Sequence, residues 1–284
     1  GSAIVGASFS PFNPFGMVIA QKEAGVELLS GYEFRLVVLV LASIAWIMYV
    51  LRYSRKNRIE KSVITLETER FSFRNKLILS LLALTFAGVT YGLIALDWGF
   101  NEMSACFFVL GLACGSIAGF SLNKTTEVYI DGFKEMVFAA LIIGLANGVS
   151  VILKDGMVID SIVYGLFGPL EHFPPTLSAM LMMVSHAVIH FPMPSTSGHA
   201  ILTMPILSPL ADLIGLSRQV CVLAYQYGAI MMDIVVPTNG ATMAVIALAD
   251  INYKNWLTFI IKPVLIMLAI GAIAILIAVQ IGYN

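Results

Sequence analysis

The run Pro192-Met193-Pro194-Ser195-Thr196-Ser197-Gly198-His199 sets hydroxyls, a glycine and an imidazole among helix breakers, between apolar stretches at 177–191 and 200–210. Hydroxyl and backbone N–H groups at such a tip suit a carboxylate. A helical arm starting at His199 would add the partial positive charge of its amino-terminal end. A second cluster follows. Asp233 lies four residues before Pro237-Thr238-Asn239-Gly240, and Thr242 comes just after. A carboxylate inside an apolar helix is costly, so it is expected to hold a cationic group, a coupling ion or a proton. Exposed carbonyls at the end of a helix over 217–235 offer the same service. A third interruption, Ser10-Pro11-Phe12-Asn13-Pro14-Phe15-Gly16, shares the proline-x-asparagine pattern of the second.

These residues define the expected site. Ser195, Thr196, Ser197, Gly198, His199, Thr238, Asn239, Gly240 and Asn13 are the candidates for substrate. Asp233, Thr242 and Ser10 are the candidates for a coupling Na+ or H+. The plainer alternative is that Ser, Thr and Asn only cap kinked helices. His186 and His190 are spaced i,i+4 and share a face, with His199 following. A proton relay, a substrate contact and polar packing all remain open for them. No catalytic residue, metal site or bound cofactor is expected, because no Cys, Asp or Glu completes a zinc set around the histidines. Cys106, Cys114 and Cys221 sit singly in apolar segments and read as small buried hydrophobes.

Such breaks must be held by long apolar elements. The chain is 59% hydrophobic and 12% charged, with a mean hydropathy of +0.90, against roughly 25% charged residues in soluble proteins. An all-α integral membrane protein follows. The net charge of −1 and the absence of a basic groove motif exclude nucleic acid as a partner, leaving membrane lipid and a small solute. Full-length spans are expected at 33–52, 77–96, 103–121, 133–153 and 254–282. Half of the 16 Lys and Arg fall in one loop (Arg52, Arg55, Lys56, Arg58, Lys61, Arg70, Arg74 and Lys76). This places loop 53–76 in the cytoplasm and, by threading, the carboxyl terminus outside. Residues 157–172 read as an interfacial helix on the outer face. Irregular backbone survives in a bilayer only where protein buries it or a wet cavity meets it, so 174–214 is expected to be a re-entrant hairpin with its tip at 194–199. Lys262 is placed to snorkel towards the inner surface. Gly111, Gly115 and Gly119 form a stripe for close helix contact, within the bundle or at a dimer seam.

The first and second proline-x-asparagine breaks interrupt helices that thread in opposite directions, and each precedes a full-length span. That is the mark of inverted repeats. The second repeat has a hairpin before its broken helix and the first shows none, so the first repeat is expected to be incomplete at its amino-terminal side. The expected segments are 1–32 (end of the first repeat), 33–153 (scaffold helices), 154–173 (outer interfacial helix), 174–252 (second repeat) and 253–284 (final span).

Together with Leu202-Thr203-Met204-Pro205-Ile206 and Pro209-Leu210-Ala211-Asp212, the motifs above resemble the YfcC-type carriers of the ion transporter superfamily. That group covers four-carbon dicarboxylate anaerobic carrier-like proteins and arginine/ornithine antiporter relatives. The resemblance implies a scaffold and a transport domain, two hairpins and an elevator motion. It also implies a bacterial inner-membrane location, a homodimer in the full-length form, and substrate and ion held between hairpin tip and broken-helix loop. One departure is visible: the family tip reads closer to Ser-Gly-Ser-Gly-Gln, where this chain has Ser195-Thr196-Ser197-Gly198-His199.

The expected function is therefore ion-coupled secondary transport, by symport or antiport, of small carboxylates or amino acids. Two other classes stand beside it. One is a non-transporting fragment or scaffold subunit. The other is an intramembrane serine hydrolase using Ser195 or Ser197 with His199 as base, which needs an alignment that residues so close at a turn rarely achieve.

Overall fold

A computed structural model of the chain describes residues 1–58, 72–96 and 98–283. Most of the expected cytoplasmic loop, residues 59–71, lies outside them. Helices account for nearly all regular structure, and no strand occurs among the described residues. Two compact units are present: residues 1–57 with 138–284, and residues 58–137.

In the smaller unit, α4 (Phe73–Ala95) packs along α5 (Phe100–Ala118), with Phe86 and Phe107 edge to face at 5.3 Å. α5 ends at Gly119, whose φ of +83° closes the helix with N–H bonds back to Gly115 and Ser116 carbonyls. Only glycine takes that turn without strain. The glycine stripe seats the bundle's own next helix: a Cβ on Gly111 would strike Tyr129, and one on Gly115 would lie 2.8 Å from Thr125 Oγ1. The expected span 133–153 is the later part of a longer helix, α6 (Leu122–Asp155). Its early turns carry no proline, and the pairs Lys124–Glu127 and Asp131–Lys134, each at 2.9 Å, suit an exposed helix face.

The larger unit carries the breaks. α1 (Ser2–Phe9) and α2 (Met17–Glu23) flank the first. α3 (Tyr32–Lys56) follows and packs on α1 and on the last helix, α12 (Tyr253–Gln280). α3 buries one stripe, Arg35, Val38, Ala42 and Trp46. Val37, Leu41 and Ile44 point outward, as lipid-facing residues do when hydrocarbon is the solvent. Lys262 on α12 is exposed. The expected interfacial segment forms α7 (Val158–Phe167) and a 3-10 turn, Gly168–His172, with Val163, Phe167 and Leu170 turned inward.

The hairpin arms are α8 (Pro175–Ile189) and α9 (Thr196–Leu213). α8, at 15 residues, is about 22 Å long at 1.5 Å per residue, short of a roughly 30 Å hydrocarbon core. The non-helical tip is 190–195, so the expected tip at 194–199 shifts. Thr196, Ser197, Gly198 and His199 form the first turn of α9, because Ser195 caps it: its Oγ accepts the Gly198 N–H at 3.2 Å. α9 also runs unbroken through Pro205 and Pro209.

Both arms pack on α10 (Arg218–Tyr225) and on a π-turn, Gln226–Ile230, that continues it. Residues 219–231 are all buried. Neighbours enclose this central helix on every side, its polar Gln219 and Gln226 included. It stops at Met232, so Asp233 lies in the turn that follows and not inside the helix as expected. The chain resumes as α11 (Gly240–Leu248), capped by the Asn239 side chain.

Gly228 permits the π-turn to touch α8. An added Cβ there would meet the Met183 carbonyl oxygen and come within 3.1 Å of His186 Cβ. Gly228→Ala is expected to cost about 1–3 kcal/mol through overpacking, read as a lower thermal midpoint in detergent. Gly6→Ala, whose methyl meets nothing within 4 Å, is the control that leaves the midpoint unchanged or raised.

Candidate functional site

The hairpin tip and the second break meet at one carboxylate. Asp233 Oδ1 accepts a hydrogen bond from His190 Nε2 at 2.6 Å and from Asn239 Nδ2 at 2.5 Å, and Oδ2 accepts from Thr196 Oγ1 at 3.2 Å. These donors come from the end of α8, the cap of α11 and the start of α9. Hydrogen bonds to an ionised group are the strong ones, worth about 1.5–3 kcal/mol each. Neighbouring contacts lock the parts together. Thr238 Oγ1 donates to the Phe191 carbonyl at 2.7 Å, tying the second break to the hairpin tip. Tyr225 OH donates to the Thr196 carbonyl at 2.6 Å. Gly16, closing the first break, is so near the tip that a Cβ on it would sit 3.0 Å from Thr196 Cγ2.

The site is closed on one side and open on the other. His190 and His199 are fully buried, while 14% of the Asp233 side chain is exposed. Ser195 is exposed; Thr196, Ser197, Gly198, Thr238 and Asn239 are half-buried; Gly240 is buried as the first residue of α11. The Ser195 to Gly198 turn is thus the more exposed wall of the site beside Asp233.

Several expected contributors turn out to hold their own backbone. Asn13 Nδ2 donates to the Ala7 carbonyl and its Oδ1 accepts the Phe15 N–H, both at 3.0 Å. Ser10 Oγ accepts the Phe12 N–H at 3.0 Å. Thr242 Oγ1 donates to the Asp233 carbonyl at 2.6 Å. The carbonyls expected to lie open after 217–235 carry side-chain donors as well: Ile234 O receives Trp256 Nε1 at 3.0 Å and Val235 O receives Tyr253 OH at 2.5 Å. That leaves the Asp233 carboxylate as the anionic group facing the open side.

His199 does not reach out from the tip. Its Nε2 lies 2.9 Å from His186 Nδ1, and its Nδ1 lies 3.2 Å from His190 Nδ1. With both nitrogens engaged it is not available as a base to Ser195 or Ser197, so a serine–histidine pair is not assembled. Among the described residues no group of His, Cys, Asp and Glu could hold a metal ion; the three rings follow one another in line.

One polar centre escaped the sequence reading. Arg35 is fully buried on α3. Its guanidinium donates to Gln219 Oε1 at 2.7 Å, Tyr283 OH at 2.7 Å, the Ser30 carbonyl at 2.9 Å and Gln226 Oε1 at 3.3 Å. Gln226 passes the connection on by donating to the Ser10 carbonyl at 2.7 Å. The available signal was weak: an arginine three residues into an apolar span, with glutamines at 219 and 226 about two turns apart on one helix.

Residues 1–280 match the model of a family described as C4-dicarboxylate anaerobic carrier, DcuC. An uncharacterized protein of Haemophilus influenzae is 31% identical over 297 aligned residues, which cover 98% of this chain and 58% of that protein. A protein of Escherichia coli that carries the name "Putative basic amino acid antiporter YfcC" is 29% identical, over 99% of this chain and 60% of its own length. The chain thus spans about three fifths of the length of these relatives. No solved structure shows a significant match.

Asn239→Ala removes the α11 cap and one of the three donors to Asp233. Loss of the cap costs about 0.5–2 kcal/mol and loss of the charged hydrogen bond about 1.5–3 kcal/mol. A clearly lower thermal midpoint in detergent is expected, whereas Ser195→Gly, which keeps a tolerated cap residue, should move the midpoint little.

Proposed function

The chain belongs to the C4-dicarboxylate anaerobic carrier family, and on that premise we propose that it forms part of an ion-coupled secondary transporter of small carboxylates or amino acids. The single observation that supports this most is the convergence of hairpin tip and broken-helix turn on Asp233. Irregular backbone with a buried carboxylate, partly open to one side, is the arrangement a carrier needs to hold a solute and release it.

An amino acid with a cationic side chain suits the site best. Its carboxylate lies at the first turn of α9, against the Ser195 and Ser197 hydroxyls, with Thr196 and Gly198 holding the turn through their bonds to Asp233 and Ser195. Its side-chain cation takes Asp233, with Thr238, Asn239 and Gly240 forming the opposite wall and Asn13 shaping the first break. Ser10 and Thr242 serve by fixing the backbone of each break. A doubly ionised dicarboxylate would bring like charge to Asp233 unless that group were protonated. The relative named for basic amino acid antiport agrees with the first choice, the family description with the second.

The same reading includes an elevator movement of the transport unit, a homodimer of the full-length protein, and a bacterial inner membrane. The basic loop 53–76 would lie in the cytoplasm and the carboxyl terminus outside. It treats the chain as a carrier and not as an enzyme.

The test uses the full-length protein in proteoliposomes, with radiolabelled arginine and succinate as probes. Arginine exchange is expected. Asp233→Asn should lower it by about tenfold or more, the size of one charged contact, with membrane insertion unchanged; Ser197→Ala should raise the KM for arginine. Full exchange in Asp233→Asn overturns the site. Exchange of succinate alone overturns the cationic substrate, and no exchange of either probe leaves a non-transporting scaffold.

A further inference from the structure

Three imidazoles stand in single file behind Asp233. From the carboxylate inward the order is His190, His199, His186, with contacts of 2.6, 3.2 and 2.9 Å. His190 and His186 come from α8 and His199 from α9, so the file crosses between the hairpin arms. All three are fully buried. The carboxylate fixes their tautomers. His190 must carry its proton on Nε2 to donate to Asp233, which makes its Nδ1 an acceptor. His199 then carries its proton on Nδ1, leaving Nε2 as acceptor, and His186 carries its proton on Nδ1. Every donor points towards Asp233.

At the far end the order runs out. Among the described residues His186 Nε2 is buried without a hydrogen-bond partner, an unfavourable state for a polar atom. The ring of Phe167 lies against this imidazole, with centroids 5.1 Å apart. Phe167 is itself 1% exposed, yet it also lines a surface groove of about 550 Å3 with Tyr164, Glu171, His172, Ile206 and Leu210. Phe167 thus touches both the last imidazole of the file and a groove with titratable groups on its rim.

We propose that His186, His199 and His190 conduct the coupling proton between the groove and Asp233, with Phe167 as the gate. This rests on the transporter reading above. When Phe167 moves aside, a hydrated proton in the groove binds His186 Nε2. The proton on His186 Nδ1 passes to His199 Nε2, that on His199 Nδ1 passes to His190 Nδ1, and that on His190 Nε2 passes to Asp233 Oδ1. The carboxylate becomes a neutral acid, one proton has entered, and each ring is left in its other tautomer. Ring rotation, or return of the proton by the same hops, restores the starting order. Neutralised, Asp233 no longer holds a cation, so proton arrival and release of a cationic substrate are coupled. The other titratable group facing the file is Tyr225 on α10, 5.5 Å ring to ring from both His186 and His199, with its hydroxyl donated to Thr196. Among the described residues the ion pair of these rings is with Asp233 alone.

The experiment places the full-length protein in proteoliposomes holding a pH-sensitive dye. It measures radiolabelled arginine exchange, proton movement during arginine uptake, and proton leak without substrate. His186→Asn keeps an N–H near the δ position but has no second ring nitrogen. It is expected to retain exchange within about twofold and to lose proton-coupled uptake by about tenfold or more, the usual weight of a proton-transfer group. Phe167→Ala is expected to raise the substrate-free proton leak. Unchanged proton coupling in His186→Asn overturns the proposal, as does wild-type uptake driven by Na+ without proton movement. Loss of exchange and coupling together in His186→Asn, with no leak in Phe167→Ala, makes the file a packing feature and overturns it too. Absence of exchange in the wild type strikes the transporter reading instead, and the leak, read without substrate, keeps the two failures distinguishable.

Discussion

An ionised carboxylate shielded from water has to find compensation, and in this chain the search for that compensation organises the larger unit. Asp233 takes donors from α8, α9 and the α11 cap. None of those donors could reach it if the helices ran straight. The α8–α9 hairpin must turn at 190–195 to present both His190 and Thr196, and the helix that carries Asp233 must stop to let Asn239 fold back. The breaks are thus the geometry by which one charge is satisfied, with part of the side chain left exposed.

The central helix makes this arrangement rigid from behind. Residues 219–231 are enclosed on all sides. The π-turn at 226–230 widens the helix where Gly228 lets it press against α8, a feature often found beside functional sites. The hairpin arms rest on this helix, and Tyr225 reaches from it to the first turn of α9. The histidines and α10 are fully enclosed by protein, whereas the tip residues Thr196, Ser197 and Gly198 are half-buried.

Much of the architecture could be read from the sequence, for reasons that differ between elements. The apolar spans were legible because bilayer thickness fixes their length, and the breaks because proline beside glycine or asparagine leaves the backbone little choice. The exact tip was not. Ser195 works as a cap, so helix begins one residue later and draws Thr196 to His199 out of the loop; hydroxyl residues look alike in sequence whether they cap or bind. Asp233 was placed in a helix although Pro237, four residues on, lacks the N–H that its carbonyl would need and crowds that carbonyl. Tertiary donors, Thr242, Tyr253 and Trp256, take the carbonyls of the turn instead. The i,i+4 spacing of His186 and His190 was visible, but their alignment with His199 depends on how two arms splay over a third helix, which no local pattern encodes.

Arg35 shows the complementary solution to the same problem. It is a full positive charge with no carboxylate partner among the described residues, yet it is surrounded by neutral acceptors: two glutamine oxygens, a backbone carbonyl and a phenol whose ring it also approaches at 5.6 Å. Had Arg35 been paired with Asp233, each charge would have neutralised the other, and taking either partner away would leave an uncompensated buried charge, at a cost of about 3–5 kcal/mol. Arg35 clamps α3 to Gln226 and through it to the Ser10 carbonyl of the first break. Its partners are two glutamines of the central helix and groups just outside α3 and α12, whereas Asp233 is held by groups at the ends of helices that stop beside it.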